Sequence, residues 1–197
     1  IVHAAIADDF LGAVKALAEK VKVGDPLDDR TKVGAMISAD HMAKVAGYVI
    51  AAKTDGGNVY SGGGQHASNA GQYLDPTIVR GVTEDMAIAR EEVFGPVLSV
   101  LTFETIEKAL HIANNTPYGL SAGVWSASID TCMSVARSVR SGTVWVNTFM
   151  EGYPELPFGG YKQSGLGREL GKRAVEDYTE EKTIQFHRGQ RTGWWVG

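Results

Sequence analysis

The second half of the chain alternates short apolar runs with segments of helical spacing. Apolar runs of strand length occupy residues 97–103, 120–125 and 143–147. Between them, apolar residues recur three and four positions apart, around 106–113 and 129–139. Strands separated by helices of this length predict βαβ units. The expected fold class is therefore α/β, with a largely parallel sheet flanked by helices.

The first half and the C-terminal part of the chain contain further helix and strand signals. Asp8 and Asp9 are expected to cap a first helix, and Ser38 or Asp40 to start a second one. The apolar face of the first helix is predicted to consist of Phe10, Val14, Leu17 and Val21, and that of the second of Met42, Val45, Ala46 and Val49. Strands are predicted at 58–60, 77–79 and 182–187, and a last helix at about 168–178.

Composition excludes several classes of partner. The 197 residues carry a formal net charge of −4, and no basic cluster offsets it, which argues against nucleic-acid binding. The longest apolar runs are far shorter than the ~20 residues of a membrane-spanning helix. The single cysteine cannot form an internal disulfide, which is typical of a reducing compartment, so we expect a cytoplasmic protein.

The single cysteine is also a candidate nucleophile, since a lone cysteine in an intracellular enzyme can attack a substrate. Cys132 lies in phase with Ile129, Met133 and Ala136 on a predicted apolar helix face, with no neighbour that would favour a thiolate. We therefore interpret Cys132 as a buried structural thiol.

Two loops are candidates for ligand binding. Residues 91–96, with the sequence Glu-Glu-Val-Phe-Gly-Pro, place two carboxylates and an aromatic ring before the densest apolar run. Residues 157–165 form a polar, glycine-rich loop that contains Lys162. The residues alone leave binding loops and ordinary turns equally open.

The motifs and their order are similar to those of the NAD(P)-dependent aldehyde dehydrogenases. The motif at 91–96 is followed by 114–121 (Asn-Asn-Thr-Pro-Tyr-Gly-Leu-Ser), 142–147 (Gly-Thr-Val-Trp-Val-Asn) and 157–169. The resemblance extends from Ile1 to about His187. It implies the C-terminal part of the catalytic domain over 1–180, an oligomerisation strand at 181–188 and a tail at 189–197.

The resemblance assigns roles to individual residues. Glu92 matches the carboxylate that holds the nicotinamide ribose hydroxyls of NAD or NADP, and Phe94 matches the aromatic residue beside the nicotinamide ring. Glu169 matches a proton-relay glutamate. The residues that would line the aldehyde site are Asn147, Phe149, Tyr153 and Phe158. Lys162 and Gly165 match main-chain ligands of a monovalent cation, expected to be potassium, that betaine aldehyde dehydrogenases hold.

In this family a cysteine thiolate attacks the aldehyde, the thiohemiacetal passes a hydride to NAD(P)+, and a glutamate base helps water to release the acid. The resemblance places that cysteine a few residues before Ile1, with the base and the dinucleotide-binding domain further upstream. The opening residues 1–4 are typical of a strand end. We therefore expect a fragment of an oxidoreductase that is inactive alone.

Several alternatives remain open at this level. A non-catalytic scaffold or oligomerisation subunit could reuse the fold, and the glycine loops could instead form a small-ligand binding module. The expected partners are a small-molecule aldehyde and further copies of the parent protein, as a dimer or tetramer. Glu151 and Glu155, with Phe149 and Tyr153, suit a cationic aldehyde such as betaine aldehyde, but an acidic solvated loop explains them equally well.

Overall fold

The computed structural model describes residues 1–66 and 71–189. After β1 (Val2–His3) and a 3₁₀ turn (Ala4–Ile6), the helices are α1 (Ala7–Ala18), α2 (Ala39–Thr54), α3 (Ala87–Arg90), α4 (Ile106–Asn114), α5 (Ile129–Ser138) and α6 (Ala174–Asp177). The remaining strands are β2 (Asn58–Ser61), β3 (Thr77–Arg80), β4 (Val97–Val100), β5 (Thr102–Phe103), β6 (Tyr118–Gly119), β7 (Ser121–Val124), β8 (Thr143–Val146) and β9 (Tyr161–Lys162).

Strand β3 is the centre of a three-stranded sheet and is buried on both faces. It pairs antiparallel with β2 and parallel with β4. Because side chains alternate along a strand, Ile78 and Val79 enter different core clusters. The first contains Val2, Ala7, Leu11, Ile78 and Val100, and the second contains Ala52, Val79, Val82, Met86 and Ile88. The predicted strand at 77–79 is therefore confirmed, with helices packed on both sides.

The apolar run at 97–103 forms two strands instead of one. β4 pairs with β3, whereas β5 pairs in parallel with β1. Leu101, between β4 and β5, therefore lies where the chain passes from one sheet to the other. The Val2 amide donates to the Leu101 carbonyl at 2.9 Å, which joins the two sheets at this residue. An apolar run shows that a segment is buried, but it does not show which neighbour each residue pairs with.

The βαβ prediction is confirmed at β7 and β8, which are parallel and connected by α5. Strand β6 pairs antiparallel with β9, which brings residues 161–162 back to the chain at 118–119. The observed architecture is α/β with several parallel strand pairs flanked by helices, as the sequence predicts.

Two details of α1 differ from the prediction. Asp8 and Asp9 lie inside the first turn, and the N-cap residue is Ile6, which makes no side-chain capping bond. Ala7 and Leu11 are buried, and Val14 packs against the same core cluster as predicted, whereas Phe10 and Leu17 are 38% and 64% exposed. Carboxylates in a first turn still favour the helix through its dipole, which explains why they mimic a cap signal in the sequence.

Helices α2 and α5 follow the sequence more closely. Ser38 caps α2 by accepting from the His41 amide at 3.1 Å, and Val45 and Val49 are buried as predicted. Cys132 is fully buried on α5, which confirms a structural thiol, and its Sγ lies 3.6 Å from the Ser126 carbonyl.

The end of the chain departs from the predicted helix. A helix was expected at about 168–178, but α6 covers only Ala174–Asp177, because Leu170 and Gly171 both have a φ of 60°. Residues 179–189 form neither helix nor strand within this chain and are exposed. The strand at 181–188 stays a prediction for an assembly. The predicted tail lies outside the described residues from 190 onward. No helix of the described part is long and apolar enough to cross a membrane.

Candidate functional site

The loop Glu91–Pro96 connects α3 to β4 and carries the two predicted cofactor residues. The Phe94 backbone has a φ of 51°, a left-handed conformation that costs a bulky residue about 1–3 kcal/mol. Its ring is 72% exposed. The Glu92 side chain is exposed, and among residues 1–66 and 71–189 none makes a hydrogen bond or ion pair to its carboxylate. Both groups therefore face solvent, free to meet a ligand.

Two side chains of helix α2 form hydrogen bonds to this loop. His41 Nε2 lies 2.8 Å from the Phe94 carbonyl, and Tyr48 donates its hydroxyl hydrogen to the Glu91 carboxylate at 2.6 Å. That hydrogen bond, with burial second, raises the pKa of Tyr48 above its ordinary value of 10.0. The two adjacent glutamates thus differ, because the Glu91 carboxylate accepts a hydrogen bond from Tyr48 on α2 and the Glu92 carboxylate accepts none from the described residues.

Asn147, predicted to lie at the floor of the substrate region, follows β8 with a φ of 53°. Its amide donates to the Val124 carbonyl at 2.8 Å. Its side chain accepts from the Ser126 amide at 2.9 Å and donates to the Ser126 carbonyl at 3.0 Å. The carboxamide therefore connects the segment that follows β8 to the segment that follows β7. Its role toward a substrate stays a prediction.

The loop after Asn147 begins with an aromatic cluster. The Phe149 ring lies 5.2 Å from the Trp145 ring and 6.5 Å from the Trp125 ring. Trp145 donates from Nε1 to the Glu151 carbonyl at 2.6 Å, which holds the loop against β8. Phe149 is 57% exposed and Tyr153 65% exposed, so the outer side of this cluster offers aromatic surface to a small molecule.

Phe158 and Glu169 are brought together by the backbone. Each amide donates to the other residue's carbonyl at 2.7 Å, which forms an isolated antiparallel bridge. Both residues line an open cavity of about 670 Å³, together with Arg168 and Tyr178. The Glu169 side chain is exposed.

Lys162 makes contacts that the sequence did not predict. Its ammonium donates to the Asn114 carbonyl at 3.0 Å and to the Thr116 carbonyl at 3.1 Å, at the C-terminal end of α4. Burial, followed by the charge of Arg140, lowers the pKa of Lys162 below its ordinary value of 10.5. The Lys162 backbone has a φ of 54° and that of Gly165 a φ of 118°, so the predicted cation ligands lie on a sharply turned segment.

The predicted site residues form three local groups. Glu92 and Phe94 precede β4, Asn147 and Phe149 follow β8, and the last group surrounds the Phe158 bridge. Within the described residues no hydrogen bond, ion pair or ring contact joins the first group to the other two. Sequence reasoning missed His41 and Tyr48 as supports, although both lie at helical spacing from the buried Val45.

Comparisons with known proteins agree on one family. The model of the "Aldehyde dehydrogenase family" matches residues 1–184. A betaine aldehyde dehydrogenase of Bacillus subtilis is 43% identical over 187 residues, which cover 93% of this chain and 38% of that protein. A putative aldehyde dehydrogenase-like protein of Schizosaccharomyces pombe is 41% identical over 182 residues, covering 92% and 36%.

Solved structures agree with this match. An NAD-dependent aldehyde dehydrogenase from Sinorhizobium meliloti superposes with a TM-score of 0.91 at 45% identity, over 99% of this chain and 39% of that one. Betaine aldehyde dehydrogenase from Staphylococcus aureus, in complex with NAD+, gives 0.91 at 37% identity, over 98% and 40%. The chain thus spans less than two fifths of the length of the curated relatives named above.

Proposed function

The chain belongs to the aldehyde dehydrogenase family, and we propose that it forms the C-terminal part of a catalytic domain that oxidises an aldehyde to a carboxylic acid. The observation that carries this proposal is the loop Glu91–Gly95. One carboxylate of the pair is bonded to Tyr48, while the next is exposed beside an exposed ring in a left-handed conformation.

Glu92 and Phe94 would hold the nicotinamide half of NAD or NADP. A carboxylate without protein partners can accept from two neighbouring ribose hydroxyls in charge-assisted hydrogen bonds. The exposed Phe94 ring can pack against the edge or face of a planar heterocycle. When bound, the nucleotide supplies the electron acceptor, and these two side chains orient it.

The substrate is proposed to be a small aldehyde that meets the surface formed by Asn147, Phe149, Tyr153 and Phe158. Aromatic rings attract quaternary ammonium groups, and the loop also carries Glu151. Several relatives bear the name betaine aldehyde dehydrogenase. Betaine aldehyde is therefore the first substrate to test.

The nucleophile would come from polypeptide outside these 197 residues. Cys132, the one cysteine of the sequence, is 0% exposed on α5 and cannot reach a substrate. The thiolate is the reactive form, and apolar burial disfavours it. The isolated chain is therefore proposed to be inactive.

Two further roles belong to the same proposal. Glu169, exposed on the rim of the cavity of about 670 Å³, would relay protons. The carbonyls of Lys162 and Gly165 would bind potassium, since uncharged carbonyl oxygens are ligands that suit this ion.

The active protein is proposed to be a cytoplasmic homo-oligomer, a dimer or tetramer. The single buried thiol supports a reducing compartment. Ile184 and Phe186, both 81% exposed, alternate with polar residues in the segment 181–188. An extended segment of this pattern can add to the edge of a neighbouring sheet and cover those side chains.

A hybrid enzyme tests the proposal. Residues 1–184 replace the matching segment of the Bacillus subtilis betaine aldehyde dehydrogenase, and NADH formation from betaine aldehyde is measured. Glu92→Gln should raise the KM for NAD+ about 10- to 150-fold, because a charge-assisted hydrogen bond contributes about 1.5–3 kcal/mol.

Glu91→Gln is the matched control, because a glutamine oxygen can still accept the hydrogen bond from Tyr48. It should change the KM for NAD+ far less than Glu92→Gln does. The cofactor assignment is wrong if Glu92→Gln changes only the melting temperature. The 197-residue chain alone should give no NADH with any aldehyde, and turnover that Cys132→Ser abolishes would overturn the fragment hypothesis.

A further inference from the structure

The contacts between α2 and the loop Glu91–Gly95 come from one face of that helix. His41, Val45 and Tyr48 lie four and three residues apart, so their side chains project from successive turns on the same side. Each of the three contacts a different residue of the loop. A single rigid element therefore holds the loop at three points along its length.

The contact at Phe94 is directional. A carbonyl oxygen only accepts, so the proton of this hydrogen bond lies on His41 Nε2. This nitrogen donates both in the imidazolium and in the neutral tautomer that carries the proton there. The bond fixes the direction of the Phe94 carbonyl, and thereby supports the left-handed conformation that turns the ring outward.

The contact at Gly95 requires close approach. A Cβ atom at this position would lie 2.6 Å from Val45 Cγ1, so any side chain larger than hydrogen would push the loop away from α2. Val45 is 1% exposed, and a side chain this deeply buried has no free space into which it could move.

The contact at Glu91 completes the arrangement. The Tyr48 hydroxyl holds the carboxylate that immediately precedes Glu92. Because side chains of adjacent residues in extended backbone point to opposite sides, a Glu91 carboxylate held against α2 directs Glu92 away from it.

We propose that His41 and Tyr48 are positioning residues that hold the loop Glu91–Gly95 from α2 and thereby present Glu92 and Phe94 to the cofactor. This inference rests on the proposed function for the identity of the ligand. The three contacts themselves do not depend on it.

The first experiment uses the complete 197-residue chain and amide hydrogen exchange. The Glu91 amide donates to the Ala87 carbonyl and the Val97 amide to the Gly95 carbonyl, so these two amides report on the ends of the loop. His41→Leu should raise their exchange rates about 3- to 10-fold, while amides of β3 keep their rates. His41→Gln retains a donor at a similar distance and should restore the slow exchange.

The second experiment measures KM and kcat separately in the hybrid enzyme. His41→Leu and Tyr48→Phe should each raise the KM for NAD+ about 2- to 10-fold, with a smaller change in the KM for the aldehyde. Tyr60→Phe is the matched control, because Tyr60 packs against the first core cluster on β2 and does not touch the loop.

The outcomes separate this inference from the proposed function. If Glu92→Gln raises the KM for NAD+ but the His41 and Tyr48 variants do not, the inference is wrong and the function stands. If Glu92→Gln has no effect, the proposed function fails, and exchange alone decides whether α2 holds the loop. A His41→Leu variant that accelerates exchange uniformly across the sheet, without rescue by His41→Gln, indicates a merely structural residue and overturns the proposal.

Discussion

Ile78 and Val79 in the central sheet are 2% and 0% exposed, whereas Ile184 and Phe186 near the end of the chain are each 81% exposed. The first pair belongs to the sheet region, which we define as β2–β4 with α1–α3. The second pair belongs to the C-terminal segment, residues 147–189. Both regions carry predicted site residues, but of these two regions only the sheet region contains buried apolar side chains among the described residues.

The difference explains how the two halves of the candidate site are held. The loop Glu91–Gly95 is fixed by side chains of α2, which packs against the sheet. The C-terminal segment is fixed by polar contacts, such as the backbone bridge between Phe158 and Glu169 and the hydrogen bonds of the Lys162 ammonium. The oligomer proposed above would cover the exposed apolar surface of this segment, and apolar burial is the main stabilising force in folding.

The largest expected difference in the free energy of unfolding comes from replacing an isoleucine by alanine in each of the two regions. Ile78→Ala removes a buried side chain that contacts the first core cluster, and should lower the free energy of unfolding by about 2–5 kcal/mol. Ile184→Ala should change it by less than about 0.5 kcal/mol, because an exposed side chain creates no cavity. Urea unfolding of the 197-residue chain measures both. Comparable losses would show that the C-terminal segment has a core of its own.

A smaller effect is expected where the C-terminal segment contacts the chain just before β8. A Cβ atom on Gly142, just before β8, would collide with the Gly159 carbonyl oxygen. Gly142→Ala should therefore destabilise the chain by about 1–3 kcal/mol through overpacking. Gly152→Ala is the matched control, since no atom lies within 4 Å of its added Cβ. Equal melting temperatures for the two variants would mean that the C-terminal segment does not rest on β8.

The smallest effect concerns acid stability. Glu84, before α3, pairs with Lys108 at 2.5 Å, with His111 at 3.2 Å and with Asn115 at 3.1 Å. The hydrogen bond from Lys108, followed by that from Asn115, lowers the pKa of Glu84 below its ordinary value of 4.5. A carboxylate with a lowered pKa stabilises the folded state above that ordinary value, and this contribution is lost as the pH falls through the lowered pKa.

The melting temperature of Glu84→Gln should therefore lie below that of the original chain at neutral pH, and the gap should close as the pH falls below 4.5. Glu181→Gln, in the exposed C-terminal segment, should show no such pH-dependent gap. A gap of constant size for Glu84→Gln would contradict the assigned ion pairs.

Three features are predicted correctly from the sequence because their signals are local and unambiguous. The cap at Ser38, the apolar run at β3 and the buried Cys132 each follow from residue type and spacing. The face of α1 is predicted only in part: Val14 packs as expected, but Phe10 and Leu17 are exposed while Ala7 and Leu11 are buried. Small residues such as Ala7 contribute little to the hydrophobic periodicity of a sequence, even when they are buried in the core.

The helix expected at about 168–178 fails for a different reason. Leu170 and Gly171 adopt left-handed backbone conformations, and a Cβ on Gly171 would lie 2.9 Å from the Pro157 nitrogen. This constraint comes from a contact fourteen residues away in sequence, which spacing of apolar residues cannot reveal. The support of the loop Glu91–Gly95 by His41 is of the same kind, since His41 and Phe94 are separated by 53 positions.

Amide hydrogen exchange along the whole 197-residue chain tests most directly whether the two regions differ in this way. We expect amides of β3 to exchange only through global unfolding, whereas those of residues 163–187 exchange through local opening and are much faster. Slow exchange of residues 163–187, at rates equal to those of β3, would show that the C-terminal segment is stabilised within this chain and that the two regions do not differ.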